Sequence, residues 1–168
     1  MKFLRLLRRI SQEKTGTMDT ASVIKDSDRF YESVFAKVEK YFGVSLDPDT
    51  ISSIIGFSAG GPVSLRANQQ KRFYLTRELA MYEAQLPSSD GALRYEFMTE
   101  GHFSEETART LLTALGNLTQ NSILGKGHTI DLTSVFGSVE PFIVRLDLAK
   151  WFSFEKKNFA IYRVVPIN

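Results

Sequence analysis

Apolar residues change period several times along this chain, and each change marks an element. "DRFYESVFAKVEKYFG" sets Phe30, Tyr31, Val34, Phe35, Val38, Tyr41 and Phe42 at helical spacing. Asp26, Ser27 and Asp28 are capping candidates and Gly43 stands where a helix stops, so the stretch predicts an amphipathic helix whose aromatic stripe faces the core. "DPDT" at 47–50 reads as a turn and "ISSII" as a short strand or helix. "RFYLTRELAMY", 72–82, then alternates, with Phe73, Leu75, Leu79 and Met81 on one face. "LRYEFMT", 93–99, alternates through Leu93, Tyr95 and Phe97, and "QLPSSDGA" between the two offers Pro87 and Asp90-Gly91 as a hairpin connection.

The period returns to 3.6 in "SEETARTLLTALGNLTQNSI". Ala108, Leu111, Leu112, Leu115 and Leu118 form one stripe, Ser104 is placed to cap, and Glu105 and Glu106 complement the helix dipole. Two alternating runs come next, "FIVRLDL" through Phe142, Val144, Leu146 and Leu148, and "NFAIYRVVPI" through Phe159, Ile161 and Val165. Strands linked as hairpins and interrupted by helices predict an α+β fold, a mostly antiparallel or mixed sheet packed against two or three helices. The pattern lacks the βαβ alternation of a doubly wound sheet. Residues 1–17 separate as a basic amphipathic segment, and 18–168 read as one domain.

Charge sharpens that division. The 168 residues carry a net +2, but residues 1–14 hold Lys2, Arg5, Arg8, Arg9 and Lys14 against Glu13 alone. The remainder is mildly acidic, with sixteen Lys and Arg against eighteen Asp and Glu, and shows no basic face of the kind nucleic acid requires. In "MKFLRLLRRISQ" the apolar Phe3, Leu6, Leu7 and Ile10 share a helical face flanked by arginines. Such a segment packs on its own domain, docks on another protein, or lies on an anionic membrane through residues 1–12. The arginines interrupt the apolar run a secretion signal needs, and no stretch approaches the roughly 20 apolar residues of a membrane span. The chain has no cysteine, which fits a reducing, cytoplasmic setting and removes thiol chemistry and cysteine-ligated metals.

Chemistry-bearing motifs are sparse. Gly56-Phe57-Ser58-Ala59-Gly60 matches G-x-S-x-G, the nucleophile elbow of serine hydrolases, and partners Asp90 with His102 or His128 come later in chain order. That makes Ser58 the nucleophile of an alternative hydrolase reading. Against it, the preceding residues read as helices and a connector, and "GGPVSLRANQQKR" is a poor helix opening; a glycine turn is the simpler account. Glu78 and Glu96 are expected as outward carboxylates beside Arg77 and Arg94. "GKGH" lacks the spacing of a phosphate loop, and His102 and His128 are the only histidines, so no metal site and no cofactor are expected.

Residues 72–132 taken together resemble the Suppressor of fused-like domain family. The resemblance rests on "RFYLTRELAMYEAQLPSSDGALRYEFMTEG" as its paired-strand segment and on "ARTLLTALGNLTQNSILGKGHTIDL" as its next block, with Gly125, Gly127, His128, Thr129 and Ile130 the most specific part. The Phe30–Phe42 helix sits where the family has its first helix, and the match covers roughly 28–135. One departure is Glu78-Leu79-Ala80, where the family pattern has Gly-Met-Ser. The resemblance implies a non-enzymatic protein-binding domain, of the single-domain bacterial type that includes immunity proteins neutralising a toxin. The mildly acidic body suits a basic partner such as a nuclease toxin. Candidate partner-binding residues are Gly125, Gly127, His128 and Asp131, with a hydrogen bond closing the turn as the simpler role for His128.

Overall fold

The computed structural model describes residues 27–46, 52–54, 63–68, 70–77, 79–82 and 84–167. The first aromatic stripe becomes helix α1, Ser27–Phe42, which Gly43 ends in the left-handed region at φ +60°. Phe30, Tyr31, Val34 and Val38 are buried along it. Tyr41 is the exception to the expected stripe: it is 55% exposed and holds the Lys150 ammonium 4.7 Å above its ring. In that last turn the sheet presents a cation, which an aromatic face accommodates at the surface.

Seven strands form one mixed sheet among the described residues: β1 Ser52–Ile54, β2 Val63–Asn68, β3 Phe73–Arg77, β4 Arg94–Glu100, β5 Thr129–Asp131, β6 Ile143–Phe154 and β7 Lys157–Ile167. Their order is β1-β2-β3-β4-β7-β6-β5, antiparallel throughout except for the parallel β4–β7 pair. Helix α2, Glu105–Leu118, starts at Ser104, whose hydroxyl accepts the Thr107 N–H at 3.2 Å as the sequence predicts. The short helix α3 is Thr133–Phe136.

Alternation along the strands loads both faces of the sheet. Phe73 and Leu75 of β3, Met98 of β4 and Phe159 and Ile161 of β7 pack with α1. Tyr74, Tyr95, Phe97, Tyr162 and Val164 pack with Ala108, Leu111, Leu112 and Leu115 of α2. Helices therefore cover both sides, and each fully buried Leu or Phe contributes about 1.5–3 kcal/mol of transfer free energy.

Three sequence expectations are corrected by this arrangement. Strand β3 ends at Arg77 and the chain tightens into a 3₁₀ turn, Leu79–Met81, so Leu79 leaves the face of Phe73 and Leu75 and joins the α2 side. Leu93 lies in the bend before β4, outside its pleat, and packs on the α1 side, opposite Tyr95 and Phe97. Glu96 and Arg94, expected at the surface, are only 1% and 3% exposed. They sit on the central strand of a sheet covered on both faces, where neither parity leads to water.

The burial of Glu96 is compensated locally. Its carboxylate accepts the Tyr31 hydroxyl at 2.9 Å, the Ala80 N–H at 2.9 Å and the Thr76 hydroxyl at 2.5 Å. Thr76 Oγ1 in turn accepts the Phe97 N–H at 2.9 Å, taking a place in the β3–β4 ladder just where β3 is about to turn. A buried carboxylate with three donors is a structural node that ties α1, β3, the 3₁₀ turn and β4 together. At the other end, the β6–β7 hairpin turns through Glu155 and Lys156 at φ +48° and +64°, two successive left-handed residues that match the twist of long strands.

Candidate functional site

The predicted partner-binding turn lies between α2 and the sheet edge, and the structure divides its residues between two places. Gly125 is buried against the Ser88–Gly91 turn, where a Cβ would overlap Ser89 Oγ and stand 2.7 Å from Asp90 Oδ1. The Ser89 N–H donates to the Leu124 carbonyl at 2.9 Å, and Ser89 Oγ is 3.4 Å from His128 Nε2. Gly127 takes φ +85°, and its N–H donates to Leu146 O at 2.7 Å. These contacts account for both glycines and for His128 as parts that close the turn on β6 and on the 88–91 loop. Asp90 is committed as well, accepting the Tyr162 hydroxyl at 2.5 Å. Burial and that carboxylate push the Tyr162 phenol well above the ordinary tyrosine range.

Asp131 goes elsewhere. It ends the edge strand β5, and its Oδ1 accepts the Thr133 N–H at 2.9 Å and the Thr133 hydroxyl at 2.5 Å. The two bonds, the hydroxyl's first, hold the carboxyl below the ordinary aspartate range. They also start α3, because an Asx turn supplies the N-terminal reversal that a short helix needs. Gly137 ends it at φ +57°. The remaining closure is aromatic: Thr133 Oγ1 accepts the Phe142 N–H at 2.9 Å, and the Phe136 and Phe142 rings stack at 4.0 Å.

Pinned in this way, α3 lies beside the outward flank of α2, and the two enclose a groove of about 800 Å³. Ala114, Leu118, Leu132 and Val135 give it apolar surface, and Thr110, Thr113, Asn121 and Ser134 add hydroxyl and amide groups. Arg109 and Asp131 are its charged residues. The Arg109 guanidinium reaches Glu105 Oε1 at 3.1 and 3.3 Å, which offsets its charge locally. Asp131 Oδ2 has no partner among the described residues. Val135 is 46% exposed, and Val139 in the loop after α3 is 98% exposed.

Of the four predicted residues, then, only Asp131 lines the groove. Of the groove's other members, Arg109, Thr110, Thr113, Asn117 and Asn121 lie on or just beyond the polar flank of α2, Leu118 reads as part of its core stripe, and Leu132, Ser134 and Val135 come from a short helix that periodicity does not mark. A signal was nonetheless there: "DLTSVFG" pairs an Asp with a Thr two residues on and ends in glycine, a short-helix signature.

Ser58 and the whole Gly56–Gly60 motif lie outside the described residues, as do Glu78, Asp26 and the 47–50 turn. Past the motif the chain enters strand β2, antiparallel to β1, whereas a nucleophile elbow opens into a helix. His102 is exposed in the loop before α2. Among the described residues no group of three His, Cys, Asp or Glu side chains is placed to hold a metal. No helix among them is long and apolar enough to cross a membrane. No protein-family model, curated protein or solved structure matches the chain.

Proposed function

We propose that this chain is a non-enzymatic, cytoplasmic protein-binding domain that holds one partner through the α2–α3 groove, in the manner of an immunity protein that neutralises a toxin. The observation that carries the reading is the make-up of that groove. Aliphatic surface from Ala114, Leu118, Leu132 and Val135 lies beside hydroxyls, amides and one ionised carboxylate with an open oxygen. Such a lining suits recognition of a peptide segment, with apolar anchors for affinity and few polar groups for register. Its carboxylate favours a basic partner. The immunity-type reading itself rests on the resemblance to the Suppressor of fused-like family through Gly125, Gly127, His128, Thr129 and Ile130.

The direct test is site-specific photocrosslinking in the native host, with a benzophenone side chain at Val135 or, as control, at Ser153 on β6. One protein adduct at Val135, absent at Ser153, is the expected result. Adducts at neither site, or equal adducts at both, would remove the groove as the binding face.

A further inference from the structure

Resting on the partner reading above, we infer that the segment the partner seats in the α2–α3 groove is one amphipathic α-helix of about three turns. It lies along α2, with apolar side chains toward Ala114 and Leu118 and a lysine or arginine at Asp131.

The composition of α2 is the first support. Between Arg109 and Lys126 the sequence carries no charged residue. A helix flank that faces water is ordinarily charged. Here Thr110, Thr113, Ala114 and Asn117 occupy it, small, uncharged and half-buried along the groove. Ile123, in the same uncharged run, is 59% exposed. Loss of charge from the middle of a surface patch is the compositional mark of a protein interface.

Geometry says what fits there. The α2 residues of the lining fall into two rows spaced by four, Arg109-Thr113-Asn117 and Thr110-Ala114-Leu118. Rows of that spacing are ridges with a furrow between them, into which a ridge of a second helix packs, and small side chains let the two axes approach to about 8–10 Å. From Arg109 to Leu118 the wall is about 14 Å long, and a helix crossing at a shallow angle of about 20° stays in contact over that length. The backbone of α2 is spent on its own helix, so this wall offers an extended chain no ladder to join. A helix needs none, because it bonds its N–H and C=O groups internally. Charge assigns the remaining face. Within the lining, Arg109 donates to Glu105, whereas Asp131 Oδ2 has no partner among the described residues, so a cation on the helix complements the groove.

The spacing of cross-links tests this. A small aliphatic diazirine side chain is placed in turn at Thr110, Thr113 and Asn117 of the full-length protein in its native host, and the partner residue attached to each is located by mass spectrometry. Thr110 and Asn117 stand about 10.5 Å apart along α2. A helix alongside covers that distance in about seven residues, and an extended chain in about three. The expected result is attachment sites about seven residues apart from positions 110 and 117, with the site from 113 between them and a lysine or arginine in the same stretch. Sites about three apart, sites without order, or a stretch with no basic residue would overturn the helix while leaving the groove as the binding face. No adduct at any of the three positions would be a different failure, that of the partner reading itself. Asp131→Asn keeps an oxygen for Thr133 but removes the charge, so adduct yield from Asn117 should fall several-fold at about 0.1 M salt. An unchanged yield would exclude the cation at Asp131.

Discussion

The Tyr31 hydroxyl donates to Glu96 Oε1 over 2.9 Å, joining the helix on one face to the central strand of the sheet. Both residues are 1% exposed. Removing this donor leaves a buried carboxylate with fewer partners, so Tyr31→Phe should cost about 1–3 kcal/mol of unfolding free energy. Glu96→Gln should cost more, because its amide would turn N–H groups toward a site made of donors. Urea denaturation followed by the fluorescence of Trp151, the only tryptophan, measures both.

Gly125 is fixed by a close approach and not by its backbone angle. Gly125→Ala drives a methyl into Ser89 Oγ, and a loss of about 1–3 kcal/mol is expected. If that contact is the cause, Ser89→Gly in the same chain should recover a large part of the loss. A full loss in the double variant would place the clash elsewhere.

Asp131 is held ionised by Thr133, hydroxyl first and backbone second. Its depressed titration means that the bonds to Thr133 persist at neutral pH and are lost only as pH falls through that lowered value. Carboxyl-detected NMR should therefore show Asp131 titrating below ordinary aspartates, and Thr133→Val should bring its midpoint back up. Asp147, depressed mainly by the Arg145 hydrogen bond at 2.8 Å, is an internal comparison that Thr133→Val leaves alone.

Tyr95 and Tyr162 are both raised well above their usual value of 10.0, chiefly by burial. Their neutral forms are favoured in the folded state, so their share of stability is complete below about pH 10 and falls as pH rises beyond it. Stability against urea should drop between about pH 10 and 12, and the slope should ease in Tyr162→Phe. A slope unchanged by that substitution would exclude Tyr162 as a contributor.

The sequence made much of this molecule legible. Helical spacing at Phe30–Phe42 and at Ala108–Leu118, the Ser104 cap and the alternation of the last two strands led to an α+β fold with a mostly antiparallel or mixed sheet, and the structure supplies the one parallel pair, β4–β7. Residues whose surroundings depend on distant elements were less readable. Glu96 reads as a surface carboxylate until α1 is laid over its face, and Leu79 reads as a strand residue until a 3₁₀ turn rotates it. The same holds for the candidate site. Asp131 stood out as a polar group beside glycines, but Leu118 and Val135 became neighbours only once Thr133 and Phe142 pinned α3 beside α2. Periodicity reports which face of an element is apolar; it does not report what a second element brings to it.

The central claim is that the α2–α3 groove holds a protein partner. The measurement that meets it most directly is affinity capture from the native host, in about 0.5 M salt, using tagged wild type and Val135→Lys side by side. Val135 is 46% exposed, and surface substitutions of this kind change stability by only about 0.5 kcal/mol, so the variant keeps its fold. The account predicts one near-stoichiometric basic protein on the wild type and its loss from Val135→Lys. A partner held equally by both proteins would contradict it.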